Sequence, residues 1–181
     1  MDGFIFSIIK IIPNWVKPNH LSIIRIFLLI PIVILLYAGQ NILAASFFIL
    51  AVLLDIFDGV LARCRSQITK TGEWLDPFAD KILILGILLI YGWSRLPNWL
   101  IIAIIIPEIL LVLGRPIKVK FGKSTRANKW GKIKMGCQSI AVIGLLSGIN
   151  LIQPLVISFL LLAIISALLS VFSHLRDILI S

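Results

Sequence analysis

The chain has 181 residues, of which 60% are hydrophobic and 14% charged, and its mean hydropathy is +1.09. Soluble domains average about 25% charged and about 45–50% apolar residues, so this chain holds more apolar surface than one core of its size hides, and a bilayer is the solvent that remains. The 17 Lys and Arg against 8 Asp and Glu leave a net charge of +9, which in so apolar a chain reads as basic loops that orient the protein and meet anionic lipid rather than as a nucleic-acid surface.

A helical crossing takes about 20 residues, which leaves room for roughly six spans, short loops and no large soluble domain. Residues 1–17 mix Phe4, Ile5, Phe6, Ile8, Ile9 and Ile12 with Lys10 and Lys17 and meet Pro13 too early to cross, so they read as an amphipathic helix lying in the interface. No charged n-region with a small-residue cleavage site is found there, so no signal peptide is expected. Pro18 and Asn19 offer a break and an N-cap for a first span over 20–37, which carries Arg25 about one and a half turns in. Asn41 opens a second span, which passes Leu54 into a polar stretch ending near Arg63. Further spans are expected near 74–92, 97–114, 130–148 and 151–172. Residues 18–181 thus form one helical domain, an all-α integral membrane protein of six transmembrane helices plus the interfacial helix.

Loop charge sets the orientation, because positive loops stay cytoplasmic. One loop pair carries Arg63, Arg65 and Lys70, then Arg115, Lys118, Lys120, Lys123, Arg126, Lys129, Lys132 and Lys134. On the opposite side the turns 38–41 and 148–151 are uncharged and 93–98 holds only Arg95. Both termini and the polar stretches are therefore expected on the cytoplasmic face of the cell membrane.

Six of the eight acidic residues, Asp55, Asp58, Glu73, Asp76, Asp80 and Glu108, lie within or at the ends of these spans. Ionisable groups at such positions are expensive and default to function. Asp55, Asp58, Gly59 and Ala62 share one helix face, and Asp76 and Asp80, four apart, share a face of the next helix. Two antiparallel helices with a short loop would turn the four aspartates toward each other. Charges so placed must be offset by protons, by basic side chains or by metal. Oxygen-only donors favour Mg²⁺ or Mn²⁺, and a pair of such ions is a recurring means of gripping both oxygens of a phosphoryl transfer. Gly59 and Ala62 leave room for a substrate, and Arg63 is placed to clamp a phosphate. Pairing of Asp55 or Asp58 with Arg63 or Arg65 is the plainer alternative. Counting back from Arg63 puts Asp55 only about 12 Å along the helix, in the cytoplasmic third rather than at the midplane where transporter sites sit.

The run Asp55-Ile-Phe-Asp58-Gly59-Val-Leu-Ala62-Arg63, followed after eight residues by Gly72-Glu-Trp-Leu-Asp76-Pro-Phe-Ala-Asp80, resembles the D-x2-D-G-x2-A-R-x8-G-x3-D-x3-D motif of the CDP-alcohol phosphotransferases at every fixed position. Pro18-Asn19-His-Leu21-Ser22-Ile-Ile-Arg25 and Leu75-Asp76-Pro77-Phe-Ala79-Asp80-Lys81 make it most similar, within that family, to phosphatidylglycerophosphate synthases and the CDP-alcohol type of cardiolipin synthase. The resemblance spans about residues 13–138. It implies metal ligation by Asp55, Asp58, Asp76 and Asp80, two Mg²⁺ or Mn²⁺ ions, and Asp80 as catalytic base. It also implies that Asn19, Ser22, Asp58, Gly59, Ala62, Arg63, Thr69 and Gly72 hold the CDP-lipid. The implied reaction moves a phosphatidyl group from CDP-diacylglycerol to an alcohol with release of CMP, in a homodimer embedded among membrane lipids.

The sequence departs from the pattern on the acceptor side, with Pro107 where Arg often precedes the acidic residue and Met135 where Thr is common. Arg115, Arg126, Lys132 and Lys134 still cluster near the cytoplasmic ends of their helices, and such groups recognise phosphate well. The expected acceptor is therefore a small phosphorylated alcohol, glycerol 3-phosphate. A cardiolipin synthase using phosphatidylglycerol, and in another class a divalent-cation transporter, are the alternatives. Cys64 and Cys137 are too few and too distant for a disulfide framework, and His20 and His174 lack partners for zinc. Trp15, Trp93 and Trp99 read as interface anchors, and Pro31 and Pro107 as possible kinks.

Overall fold

A computed structural model of the chain describes residues 18–64, 70–120 and 129–179. The interfacial helix expected over 1–17 lies outside the described residues. Six long helices make up the rest, in the places that hydrophobic patterning marks: α1 (Pro18–Tyr37), α2 (Asn41–Cys64), α3 (Lys70–Ile87), α4 (Asn98–Lys120), α5 (Lys129–Leu146) and α6 (Gln153–Leu179). No strand occurs among the described residues. Three stretches, His20–Tyr37, Asn41–Leu61 and Asn150–Ser173, are long and apolar enough to cross a bilayer. The apolar part of α4, Asn98–Val112, is shorter, while α3 and α5 begin in charged turns that hold Lys70, Glu73 and Asp76, and Lys129, Lys132 and Lys134.

The helices also run past some expected ends. The fourth continues through Gly114 and Pro116 to Lys120, and the sixth reaches Leu179. The third closes in a π-helical turn, Leu88–Gly92, and the sixth opens on a 3₁₀ turn, Asn150–Ile152. Alternation of apolar and polar residues does not distinguish such turns from ordinary helix.

The described residues fall into two compact units divided between Leu83 and Ile84, inside α3. In the first, α1 packs on α2. The buried residues of α1, Ser22, Arg25, Ile32 and Leu36, form one stripe, and α2 buries Ala44, Ala45, Phe48, Ala51, Asp58 and Leu61. Small residues such as these alanines let membrane helices approach closely. The remaining faces expose Ile23, Ile24, Phe27, Ile30, Ile34 and their like, as suits a bundle whose surroundings are as apolar as its core. The α1–α2 turn is a Schellman motif: Gln40 N–H donates to Leu35 O at 2.9 Å, Gly39 N–H donates to Leu36 O at 3.1 Å, and Gly39 takes φ +72°.

In the second unit α6 packs against both α5 and α4. Leu100, Ile101 and Ile104 of α4, Ala141, Val142 and Leu145 of α5, and Val156, Leu160 and Ala163 of α6 supply its core. A Cβ on Gly144 would lie 2.8 Å from Val156 Cγ2, so α5 and α6 meet there at a distance that only glycine permits. Glu108 extends the buried stripe of α4, and Lys134 and Gln138 that of α5, so two otherwise apolar faces each turn polar at one end.

Candidate active site

The first unit brings together charges that the sequence separates widely. Arg25, one turn beyond Ser22 on α1, is 1% exposed and its guanidinium meets three carboxylates. Its Nη1 donates to Asp55 Oδ1 at 2.6 Å and also to Asp80 Oδ1, while Nη2 donates to Asp58 Oδ2. Ser22 Oγ donates to the same Asp58 oxygen at 3.3 Å. Helical spacing explains the convergence: Ser22 and Arg25, like Asp55 and Asp58, are three apart and so share a face of their helices, and Asp80 arrives from α3.

The site is graded in depth. The Asp58 side chain is 3% exposed, Asp80 14% and Asp55 36%, so one end is sealed and the other open. Three carboxylates from two helices thus gather on one guanidinium. Packing like charges together is costly unless positive groups share them, and the Arg25 guanidinium is one such group.

Asp55, Asp58 and Asp80 are thus assembled as expected, with Ser22 beside them, and Gly59 follows Asp58 on the partly buried α2 face. Asn19 lies in the first turn of α1, Ala62 and Arg63 in the last turn of α2, and Gly72 in the first turn of α3. Asp76 is one turn before Asp80 on the same helix. Thr69 and Arg126 lie outside the described residues. Arg115 belongs to the C-terminal part of α4, and Lys132 is exposed on α5. Lys134 belongs to the second unit, where its Nζ is 2.6 Å from Glu108 Oε1, an atom to which Gln138 Nε2 also donates at 3.0 Å.

Sequence reasoning gave Arg25 no role, although the rule that drew attention to the acids, that an ionisable group within a span is functional until explained, applies to it equally. The carboxylates' pairing with Arg63 or Arg65 rests on side chains outside the described residues, while a partner that is described, Arg25, is on α1.

Comparison with known proteins identifies the family. The sequence model of the CDP-alcohol phosphatidyltransferase family matches residues 15–177. A Haemophilus influenzae protein named CDP-diacylglycerol--glycerol-3-phosphate 3-phosphatidyltransferase is 30% identical over 167 residues, 88% of this chain and 89% of that one. Proteins of the same name from Bacillus subtilis and Cereibacter sphaeroides are each 33% identical, over 75% and 76% of this chain and 76% and 66% of theirs. The match contains the helices that carry Ser22, Arg25, Asp55, Asp58 and Asp80, so it covers the acidic site together with its surroundings. The chain belongs to the CDP-alcohol phosphatidyltransferase family.

Proposed function

We infer that the protein is a membrane enzyme that transfers a phosphatidyl group from CDP-diacylglycerol to glycerol 3-phosphate and releases CMP. The convergence of Asp55, Asp58 and Asp80 on one buried point, within a family of phosphatidyltransferases, carries this reading. The relatives' names supply the acceptor. All six helices cross the membrane, with the basic stretches around 63–70 and 115–134 on the cytoplasmic side, because positive residues resist translocation.

In the reaction the acceptor hydroxyl oxygen forms a bond to the phosphorus of the phosphatidyl group while the bond from that phosphorus to the CMP oxygen breaks. The hydroxyl proton passes to Asp80. A carboxylate suits this task when it is fixed and partly open to substrate, and Asp80, held through one oxygen by Arg25, is 14% exposed. Asp55, Asp58, Asp76 and Asp80 would hold Mg²⁺ or Mn²⁺, an all-oxygen donor set whose chemistry suits such ions. When bound, two such ions would offset charge on the diphosphate. Asn19, Ser22, Asp58, Gly59, Ala62, Arg63, Thr69 and Gly72 would hold the CDP-lipid. Arg115, Arg126, Lys132 and Lys134 would offer positive charge to the acceptor phosphate.

Membranes containing the protein, given CDP-diacylglycerol and Mg²⁺, should release CMP when glycerol 3-phosphate is added. CMP release with phosphatidylglycerol in its place would make the enzyme a cardiolipin synthase. Vesicle uptake of Mn²⁺ without any CMP would make it a transporter.

A further inference from the structure

The acidic site has a permanent cation built into it. A helix that needed a neutral interior would be served by one Asp–Arg pair, since intramembrane charges commonly pair, yet Arg25 reaches three carboxylates on two helices and is 1% exposed. Arginine suits this position because its fork is planar, always charged and able to bridge several oxygens. Its Nε has no hydrogen-bond partner among the described residues, so the side chain is directed at the carboxylates through its two terminal nitrogens alone.

Resting on the reading above, in which the aspartates hold a divalent cation, we propose that Arg25 is the positioning residue and fixed counter-charge of that site, drawing Asp55, Asp58 and Asp80 together while weakening their grip on the cation. Both effects follow from one charge. The guanidinium lowers the repulsion among the three acids, which lets α2 and α3 bring them to one point. A divalent cation held by the same oxygens is repelled by that guanidinium across a few ångströms in a poorly screened setting. The acids are thereby kept in place without becoming a trap from which the cation does not leave.

The test is direct Mn²⁺ binding to the purified full-length protein in lipid nanodiscs, followed by electron paramagnetic resonance of the free ion, with no turnover involved. Arg25→Gln should bind Mn²⁺ about tenfold more tightly than the wild type, a gain of about 1.4 kcal/mol. Arg25→Lys keeps the charge and should stay within about threefold of the wild type. Asp58→Asn should bind more weakly. Should Arg25→Gln unfold without metal, its thermal unfolding across a Mn²⁺ series gives the same affinity from the midpoint of stabilisation. Weaker binding by Arg25→Gln, or an equal shift in Arg25→Gln and Arg25→Lys, overturns the counter-charge role and leaves the cation site standing. No saturable Mn²⁺ binding by the wild type removes the cation site itself, and the role of Arg25 with it.

Discussion

Replacing Lys134 by methionine removes the cation 2.6 Å from Glu108 Oε1 in a place where Glu108 is 3% exposed. Gln138 still donates to that oxygen, but an amide does not offset a full negative charge. Breaking one side of a buried ion pair typically costs about 3–5 kcal/mol, whereas exchanging both partners for apolar residues of similar volume is close to neutral. Lys134→Met and Glu108→Leu should therefore each destabilise by about 3 kcal/mol or more, and the double variant should lie near the wild type, so the two changes are far from additive. Denaturant unfolding in detergent micelles, followed by the fluorescence of the five tryptophans, measures all three. Single losses below about 1 kcal/mol that simply add would show that the pair is a solvated contact.

Two further expectations concern packing and the acceptor. Gly144→Ala forces a Cβ to within 2.8 Å of Val156 Cγ2, and because valine is stiff and Val156 buried, it should cost about 1–3 kcal/mol, with relief when Val156→Ala is added. An unchanged unfolding midpoint for Gly144→Ala would mean that α5 and α6 do not meet so closely. Arg115→Ala should raise the KM for glycerol 3-phosphate more than that for CDP-diacylglycerol; equal effects on both would place the acceptor phosphate elsewhere.

The helices were legible in the sequence because long apolar runs broken by Gly, Pro and Asn leave few alternatives in a bilayer, and the turn at Gly39 fell where the first run ends. The convergence of Asp55, Asp58 and Asp80 was legible too, since three- and four-residue spacing fixes a helix face. Their partner was not. Arg25 precedes Asp55 by 30 positions and Asp80 by 55, and no local rule relates groups so far apart; only the packing of α1 on α2 does. Lys134 shows the same. It reads from the sequence as one of many basic residues near a span end, and its contact with Glu108, 26 positions earlier, comes only from its place on the buried stripe of α5, four residues before Gln138. The π turn at Leu88–Gly92 left no signal, because it needs only a shift of one residue in hydrogen bonding.

In the proposed reaction, acids from α2 and α3 form one site at which the phosphatidyl group changes partners. This is tested most directly by CMP release from CDP-diacylglycerol and glycerol 3-phosphate in nanodiscs, measured for wild type, Asp80→Asn and Asp58→Asn alongside CDP-lipid binding. Asp80→Asn should lower the rate by about 10²-fold or more while CDP-lipid binding largely persists, as loss of a general base requires, and Asp58→Asn should also release CMP slowly. A rate near that of the wild type in either variant would contradict the account.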